Sequence, residues 1–87
     1  MAEALIILAE ECAEVIQAVS KIQRFGSDPQ HIKELEKEIG DVIAMMTVLS
    51  HHSTIDAEKV MQRVPIKLRK LKKNSDIKDL DIIIKSL

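Results

Sequence analysis

Apolar residues recur at intervals of three and four along the first 24 residues, which is the spacing of one face of an α-helix. The pattern predicts a first helix over about residues 2–24. Its apolar positions are Leu5, Leu8, Cys12, Val15, Val19 and Ile22, joined by Ala9 and Ile16. The segment 25–29 should end this helix, with Gly26 in a left-handed conformation and Ser27 or Asp28 capping the next helix.

A second run with the same period predicts another long helix, from Pro29 to His51 or His52. Its apolar positions are Ile32, Leu35, Ile39, Val42, Ile43, Met46 and Leu49. Because the connection between the two helices is short, they should be antiparallel neighbours. Residues whose numbers sum to about 55 should then lie at the same level of the hairpin.

The rest of the chain predicts shorter helices. Ser53 or Thr54 is placed to cap a third helix, and Pro65 is expected to kink or divide it because proline removes a backbone donor. The segment 74–76, Asn-Ser-Asp, should break the chain and cap a short terminal helix. The isoleucine run at 82–84 in that last segment also fits a strand.

These patterns and the composition favour an all-α fold. The chain has 87 residues, of which 46% are hydrophobic, but it has a single aromatic residue, two glycines and two prolines. A chain of this length buries only about 60% of its unfolded surface, so its core is small and oligomerisation is expected. We therefore expect one domain at 1–87, with an acidic two-helix core at 1–52 and basic helices at 53–87.

Charge is distributed unevenly, although the formal net charge is only −1. Residues 1–53 carry four bases and nine acids, whereas residues 54–87 carry nine bases and five acids. The first part could therefore hold cations and the second could meet phosphates, but a solvated helix end explains the basic run at 67–73 at least as well. The near-neutral total argues against a nucleic-acid-binding protein.

The cellular location is predicted from features that the sequence lacks. The lone cysteine, Cys12, excludes an intrachain disulfide and a cysteine-based zinc site, and it fits a reducing compartment. Cys12 is expected to pack as a small apolar residue. The sequence shows no leader pattern and no apolar run of about 20 residues. We therefore expect a cytoplasmic protein with no membrane contacts.

Two clusters of carboxylates interrupt the apolar helices. Glu10, Glu11 and Glu14 fall within about one 100° sector of the first helix, and no lysine or arginine occurs among the first 20 residues to balance them. Glu38 and Asp41 share a face of the second helix. An antiparallel hairpin would bring these carboxylates together, and a divalent ion such as Mg²⁺ prefers oxygen ligands of this kind. The competing explanation is that the acidic stripe is only the solvated side of an amphipathic helix.

The paired motifs Glu-Glu-x-x-Glu at 10–14 and Glu-x-x-Asp at 38–41 resemble those of the MazG-type all-α nucleoside triphosphate pyrophosphohydrolases. The segments at 20–26 and 38–43 are similar to the surroundings of those motifs in small phage-type members. The resemblance covers roughly residues 1–52. It implies a Mg²⁺-dependent enzyme that hydrolyses the bond between the α and β phosphates of a nucleotide, giving the nucleoside monophosphate and pyrophosphate.

The resemblance also implies roles for individual residues. The implied metal ligands are Glu11, Glu14, Glu38 and Asp41. The metal would be Mg²⁺, with Mn²⁺ as the alternative ion. Glu10 is the candidate for activating the attacking water, and Lys21 and Arg24 are candidates for contacts with phosphate oxygens. The two long helices are expected to pair with those of a second subunit in a four-helix bundle, within a homodimer or homotetramer.

The same features fit two other functions. Phosphoribosyl-ATP pyrophosphohydrolases carry similar acidic motifs, so the chain could belong with that enzyme class. Alternatively, the chain could be a non-catalytic helical dimerisation module, with a solvated acidic stripe and a basic segment at 67–73 that contacts an acidic partner. The favoured partner is a nucleotide substrate, and neither a membrane nor a nucleic acid is expected as a partner.

Overall fold

The computed structural model describes residues 2–87, most of which are helical. The elements are α1 (Ala2–Phe25), α2 (Pro29–His51), α3 (Ala57–Asn74) and α4 (Leu80–Lys85). No strand occurs over this described range, and the isoleucine run at 82–84 lies in α4. The predicted all-α class is therefore confirmed. No helix between residues 2 and 87 combines the length and the apolarity that crossing a membrane requires.

The chain forms two compact units, one ending at Ile55 and the other comprising residues 56–87. The first unit is built by the packing of α1 against α2, and the second by contacts between α3 and α4. The division falls close to the change from acidic to basic composition at 52–53. The assignment of the whole chain to one domain stays a prediction.

The turn between α1 and α2 has the predicted chemistry. Gly26 adopts a left-handed backbone with φ of 98°, and its N–H donates to the carbonyl of Ile22 at 2.8 Å. Asp28, rather than Ser27, caps α2, because its carboxylate accepts the N–H of His31 at 3.1 Å. Pro29 occupies the start of α2, where its missing N–H costs nothing. Gly26, Asp28 and Pro29 therefore each satisfy a requirement of the helix end that they border.

An ion pair shows the register of the two helices in the first unit. Lys21 Nζ on α1 lies 2.9 Å from Glu34 Oε1 on α2. The two residue numbers sum to 55, as the antiparallel prediction requires. The pair is exposed, so it reports the register more than it stabilises the fold.

The side of α1 that becomes buried differs from the predicted apolar face. Ala18 is 2% exposed and Glu11 is half-buried, whereas Ile16 is 66% exposed. Cys12 is also exposed, so the prediction that it packs as a small apolar residue is wrong. The apolar arc of α1 is too wide for one neighbouring helix to cover. The contact face is therefore rotated toward the acidic stripe, and part of the apolar arc stays on the surface of this chain.

The start of α3 corrects one prediction. Asp56 caps the helix, because its carboxylate accepts the N–H groups of Glu58 and Lys59 at 2.9 and 3.4 Å. Ser53 and Thr54 are instead part of the turn that closes α2. Ser53 has a positive φ of 61°, and the N–H of Thr54 donates to the carbonyl of Leu49 at 2.9 Å.

Pro65 does not divide α3, which continues as one helix from Ala57 to Asn74. A proline removes only its own N–H, so a single backbone hydrogen bond is lost. The Lys-, Arg- and Leu-rich sequence that follows it has high helix propensity and resumes the helix at once. Of the two predicted effects of Pro65, division of the helix is wrong for this reason, and a kink stays a prediction.

The end of the chain breaks where predicted, but its last helix begins later. Ser75 ends α3, and its hydroxyl donates to the carbonyl of Leu71 at 2.6 Å. Asp79, and not Asp76, precedes α4, and it takes a left-handed backbone with no side-chain cap. The short α4 is held by the buried Leu80 and by an ion pair between α3 and α4. These tertiary contacts decide where a six-residue helix begins.

We predict that Asp28→Ala lowers the free energy of unfolding by about 1 kcal/mol, because the first turn of α2 loses its cap. Urea denaturation monitored by circular dichroism measures the change. Ser27→Ala is the matched control and should change stability by no more than about 0.5 kcal/mol, since its side chain makes no cap bond. Equal losses in the two variants would contradict the cap assignment.

Candidate metal centre

Three carboxylates converge in the middle of the α1–α2 hairpin. Glu11 comes from α1, and Glu38 and Asp41 come from α2, one turn apart. One oxygen from each of the three lies within 4.8 Å of the others. The antiparallel register produces this arrangement, because it sets the acidic stretch of α1 beside that of α2. We call these three side chains the acidic cluster.

Glu38 lies at the deepest point of the acidic cluster. It is 7% exposed and is the one buried charged residue among residues 2–87. Its Oε2 atom and the Oε2 atom of Glu11 are both buried without a hydrogen-bond partner. A buried carboxylate oxygen with no partner is destabilising. A hard divalent cation is the ligand that such oxygens fit, so the donor set suits Mg²⁺ or Mn²⁺.

Glu14 lies beside the acidic cluster, not within the convergent group. A hydrogen bond with Glu38 raises the pKa of Glu14, and the negative charges of Glu38 and Glu11 raise it further, while Lys37 acts in the opposite direction. The carboxyl of Glu14 is exposed and therefore accessible from solvent. Of the four residues expected to hold the metal, three converge and the fourth adjoins them.

Lys37 is a neighbour of the acidic cluster that the sequence analysis did not single out. Its Nζ lies 3.2 Å from Glu38 Oε1 and 3.4 Å from Asp41 Oδ2. Hydrogen bonds to these two carboxylates raise the pKa of Lys37. The spacing of Lys37 and Asp41, four residues apart on one helix, is the signal that could have identified the contact.

The remaining predicted site residues do not join the acidic cluster. Glu10 is exposed on α1, one position before Glu11. Lys21 is paired with Glu34, and the hydrogen bond that its ammonium donates to that carboxylate lowers the pKa of Glu34. The guanidinium of Arg24 lies over the ring of Phe25, 5.2 Å from its centroid. Roles for Glu10, Lys21 and Arg24 in chemistry therefore stay predictions.

A cleft opens one turn from the acidic cluster, on the side away from the α1–α2 turn. It has a volume of about 440 Å³. Its lining is mostly apolar and comprises Glu3, Ala4, Ile7, Met45, Val48 and His52. Sequence reasoning missed the cleft, because its walls come from the start of α1 and the end of α2.

The fold and the acidic cluster define a class: an all-α protein in which carboxylates from two antiparallel helices form a candidate metal centre. Residues 2–75 match the family model described as the MazG nucleotide pyrophosphohydrolase domain. The chain therefore belongs to the MazG nucleotide pyrophosphohydrolase family, and the match extends past the two acidic helices through α3. Comparison with curated proteins and with solved structures gives no significant match.

We predict that Glu14→Gln makes the metal-free protein more stable at pH 7, because it removes a carboxylate that Glu38 and Glu11 repel. The raised pKa fixes the sign of the pH dependence. Protonation of Glu14 removes its repulsion with Glu38 and Glu11. The loss of folding stability caused by this repulsion is therefore absent below the ordinary glutamate pKa of about 4.5, and it develops as the pH rises through the raised pKa of Glu14.

The measurement is thermal unfolding in EDTA between pH 4 and pH 8. The advantage of Glu14→Gln over the unmodified protein should shrink as the pH falls. Glu10→Gln, on the same helix but outside the acidic cluster, is the matched control and should lack this pH-dependent gain. A gain of the same size in both variants would mean that only the net charge matters.

Proposed function

We propose that this protein is a Mg²⁺-dependent nucleoside triphosphate pyrophosphohydrolase that cleaves between the α and β phosphates. The observation that carries the proposal is the buried Glu38, which converges with Glu11 and Asp41 and has one unpartnered oxygen, in a chain of the MazG family. A solvated acidic stripe would keep its carboxylates in water. Burial of Glu38 at the point of convergence supports a ligand-binding role instead.

The acidic side chains have different roles in the proposed site. Glu11, Glu38 and Asp41 would hold the metal, and Glu14 would complete the set from the exposed side. When bound, the ion supplies neutralisation of phosphate charge and activation of water for in-line attack. Glu10, on the exposed flank of α1, would accept the proton of the attacking water.

The order of the cleft, the acidic cluster and the basic residues along the hairpin supports one orientation of the bound nucleotide. The apolar cleft lies one turn from the acidic cluster toward the start of α1, and Lys21 and Arg24 lie toward the α1–α2 turn. Lys21 is seven residues beyond Glu14, which corresponds to about 10 Å along the helix. We place the β and γ phosphates toward Lys21 and Arg24, and the nucleoside toward the cleft. The volume of the cleft is within the range of small-molecule sites.

Exposed apolar residues support assembly with a second copy of the chain. They are Leu5, Ile16 and Val19 on α1 and Ile32, Ile39 and Ile43 on α2. At about 100° per residue, both sets fall on the same side of the hairpin, and Glu14 and Asp41 fall on the other. A second hairpin would cover this apolar side in a four-helix bundle, giving a homodimer or homotetramer.

The proposed enzyme acts in the cytoplasm.

We predict that the protein releases pyrophosphate from nucleoside triphosphates only when Mg²⁺ or Mn²⁺ is present. The panel should contain ribo- and deoxyribonucleotides together with phosphoribosyl-ATP, and coupled pyrophosphate detection measures the rate. Glu38→Gln should lower kcat/KM by at least about 100-fold, because the metal loses its buried ligand.

Glu36→Gln, an exposed position on the same helix, is the matched control and should keep the activity. Turnover of phosphoribosyl-ATP alone would assign the protein to that enzyme class. No turnover of any nucleotide by the folded protein would contradict the proposal and favour a non-catalytic dimerisation module.

We predict that Ile43→Asp disrupts the oligomer, because it places a charge in the proposed apolar interface. Analytical ultracentrifugation should show the unmodified protein as a dimer or larger and the variant as a monomer at the same concentration. Ile6→Asp is the matched control, since Ile6 is similarly exposed but lies away from that side of the hairpin. A monomeric unmodified protein would contradict the proposed assembly.

A further inference from the structure

Lys37 is the one lysine or arginine that forms an ion pair with the acidic cluster in the part of the chain that the structure describes. Its ammonium contacts two of the three convergent side chains, Glu38 at 3.2 Å and Asp41 at 3.4 Å. The ion pair of Lys21 with Glu34, which joins the two helices of the hairpin, involves neither of these carboxylates. The carboxylates that a metal would use are therefore already shared with a cation of the protein itself.

We infer that Lys37 is a built-in competitor of the divalent ion, which neutralises Glu38 and Asp41 in the metal-free protein and must leave them when the metal binds. The inference rests on the metal site of the proposed function and adds the residue that sets its affinity. Nothing in the family match identifies such a residue.

The exposure of Lys37 makes the exchange physically simple. Its side chain is 68% exposed, whereas that of Glu38 is 9% exposed. The ammonium therefore approaches a buried carboxylate from the solvent side and can swing back into water without repacking any neighbour. Since Lys37 directly precedes Glu38 on α2, the ammonium stays close to the acidic cluster at a high effective concentration.

The charges also explain why the competition should be measurable. A divalent ion brings two positive charges to oxygens that a single ammonium neutralises only in part, so the metal wins at sufficient concentration. Each exposed contact of Lys37 weakens metal binding by a modest factor, and two contacts together should weaken it by roughly three- to tenfold. Lys37 thus raises the metal concentration at which the site fills, while it protects the metal-free hairpin from carboxylate repulsion.

The test is Mn²⁺ binding to the protein in the absence of nucleotide, measured by electron paramagnetic resonance of the unbound ion. Lys37→Met should bind Mn²⁺ roughly three- to tenfold more tightly than the unmodified protein. Lys37→Arg keeps the positive charge and should bind with nearly unchanged affinity. Lys21→Met is the matched control, because it removes the same charge and one ion pair at a distance from the acidic cluster.

Thermal unfolding gives a second readout. Without metal, Lys37→Met should melt at a lower temperature than the unmodified protein. Saturating Mg²⁺ should raise the melting temperature of Lys37→Met by more than it raises that of the unmodified protein. Lys37→Gln serves as a second variant, with circular dichroism as the check that each variant folds.

Three results would overturn the inference. Lys37→Met could bind Mn²⁺ with equal or weaker affinity while the unmodified protein binds it. Lys21→Met could tighten binding as much as Lys37→Met, which would assign the effect to net charge. Finally, if neither the unmodified protein nor any variant binds Mn²⁺, the proposed metal site is wrong, and the proposed competition is wrong with it.

Discussion

The burial of one carboxylate between two helices is the constraint on which the rest of this structure depends. Glu38 is placed where a helical hairpin would ordinarily carry an apolar side chain, and it faces Glu11 from the opposite helix. This arrangement is unfavourable in the absence of a cation. The hairpin tolerates it because Lys37 approaches from solvent and because the neighbouring Glu14 can hold a proton more readily than an ordinary glutamate.

The same constraint links the fold to the chemistry. Rotation of α1 toward its acidic stripe brings Glu11 to Glu38 and Asp41, and it also leaves apolar residues such as Ile16 on the surface of this chain. In the proposed dimer, one side of the hairpin provides the subunit interface and the other provides the metal centre. Family membership and the buried, unpartnered oxygens support the proposal of a metal centre on the acidic side.

Local sequence signals predicted the hairpin well, because the residues that form it act over short distances. Gly26, Asp28 and Pro29 each satisfy a backbone requirement at a helix end, and such requirements can be recognised within a few residues. The motif spacing likewise grouped Glu11, Glu14, Glu38 and Asp41, and the structure brings all of these together except Glu14, which lies beside the others. Their role as metal ligands is a proposal that the family match supports.

Other features depended on tertiary contacts that periodicity does not contain. The apolar arc of α1 is wider than the face that one neighbouring helix covers, so the sequence pattern could not show which part of it contacts α2. The exposure of Cys12 was missed for this reason. Asp56 precedes α3 because Ser53 and Thr54 belong to the turn after α2. Asp79 precedes α4 because the contacts of α4 with α3 determine where that short helix begins. The contact of Lys37 was overlooked because a lysine beside a glutamate is ordinary on a helix surface until the glutamate is found to be buried.

The most direct test of the metal centre is the free energy of unfolding of the unmodified protein and of Glu38→Gln, measured against Mg²⁺ concentration. The account predicts that the unmodified protein gains about 1.4 kcal/mol for each tenfold rise in Mg²⁺ above the dissociation constant. Glu38→Gln should begin more stable in EDTA, because it lacks the buried charge, and should not respond to Mg²⁺. An unmodified protein that does not respond to Mg²⁺, together with a destabilised Glu38→Gln, would contradict the account and make Glu38 a structural residue.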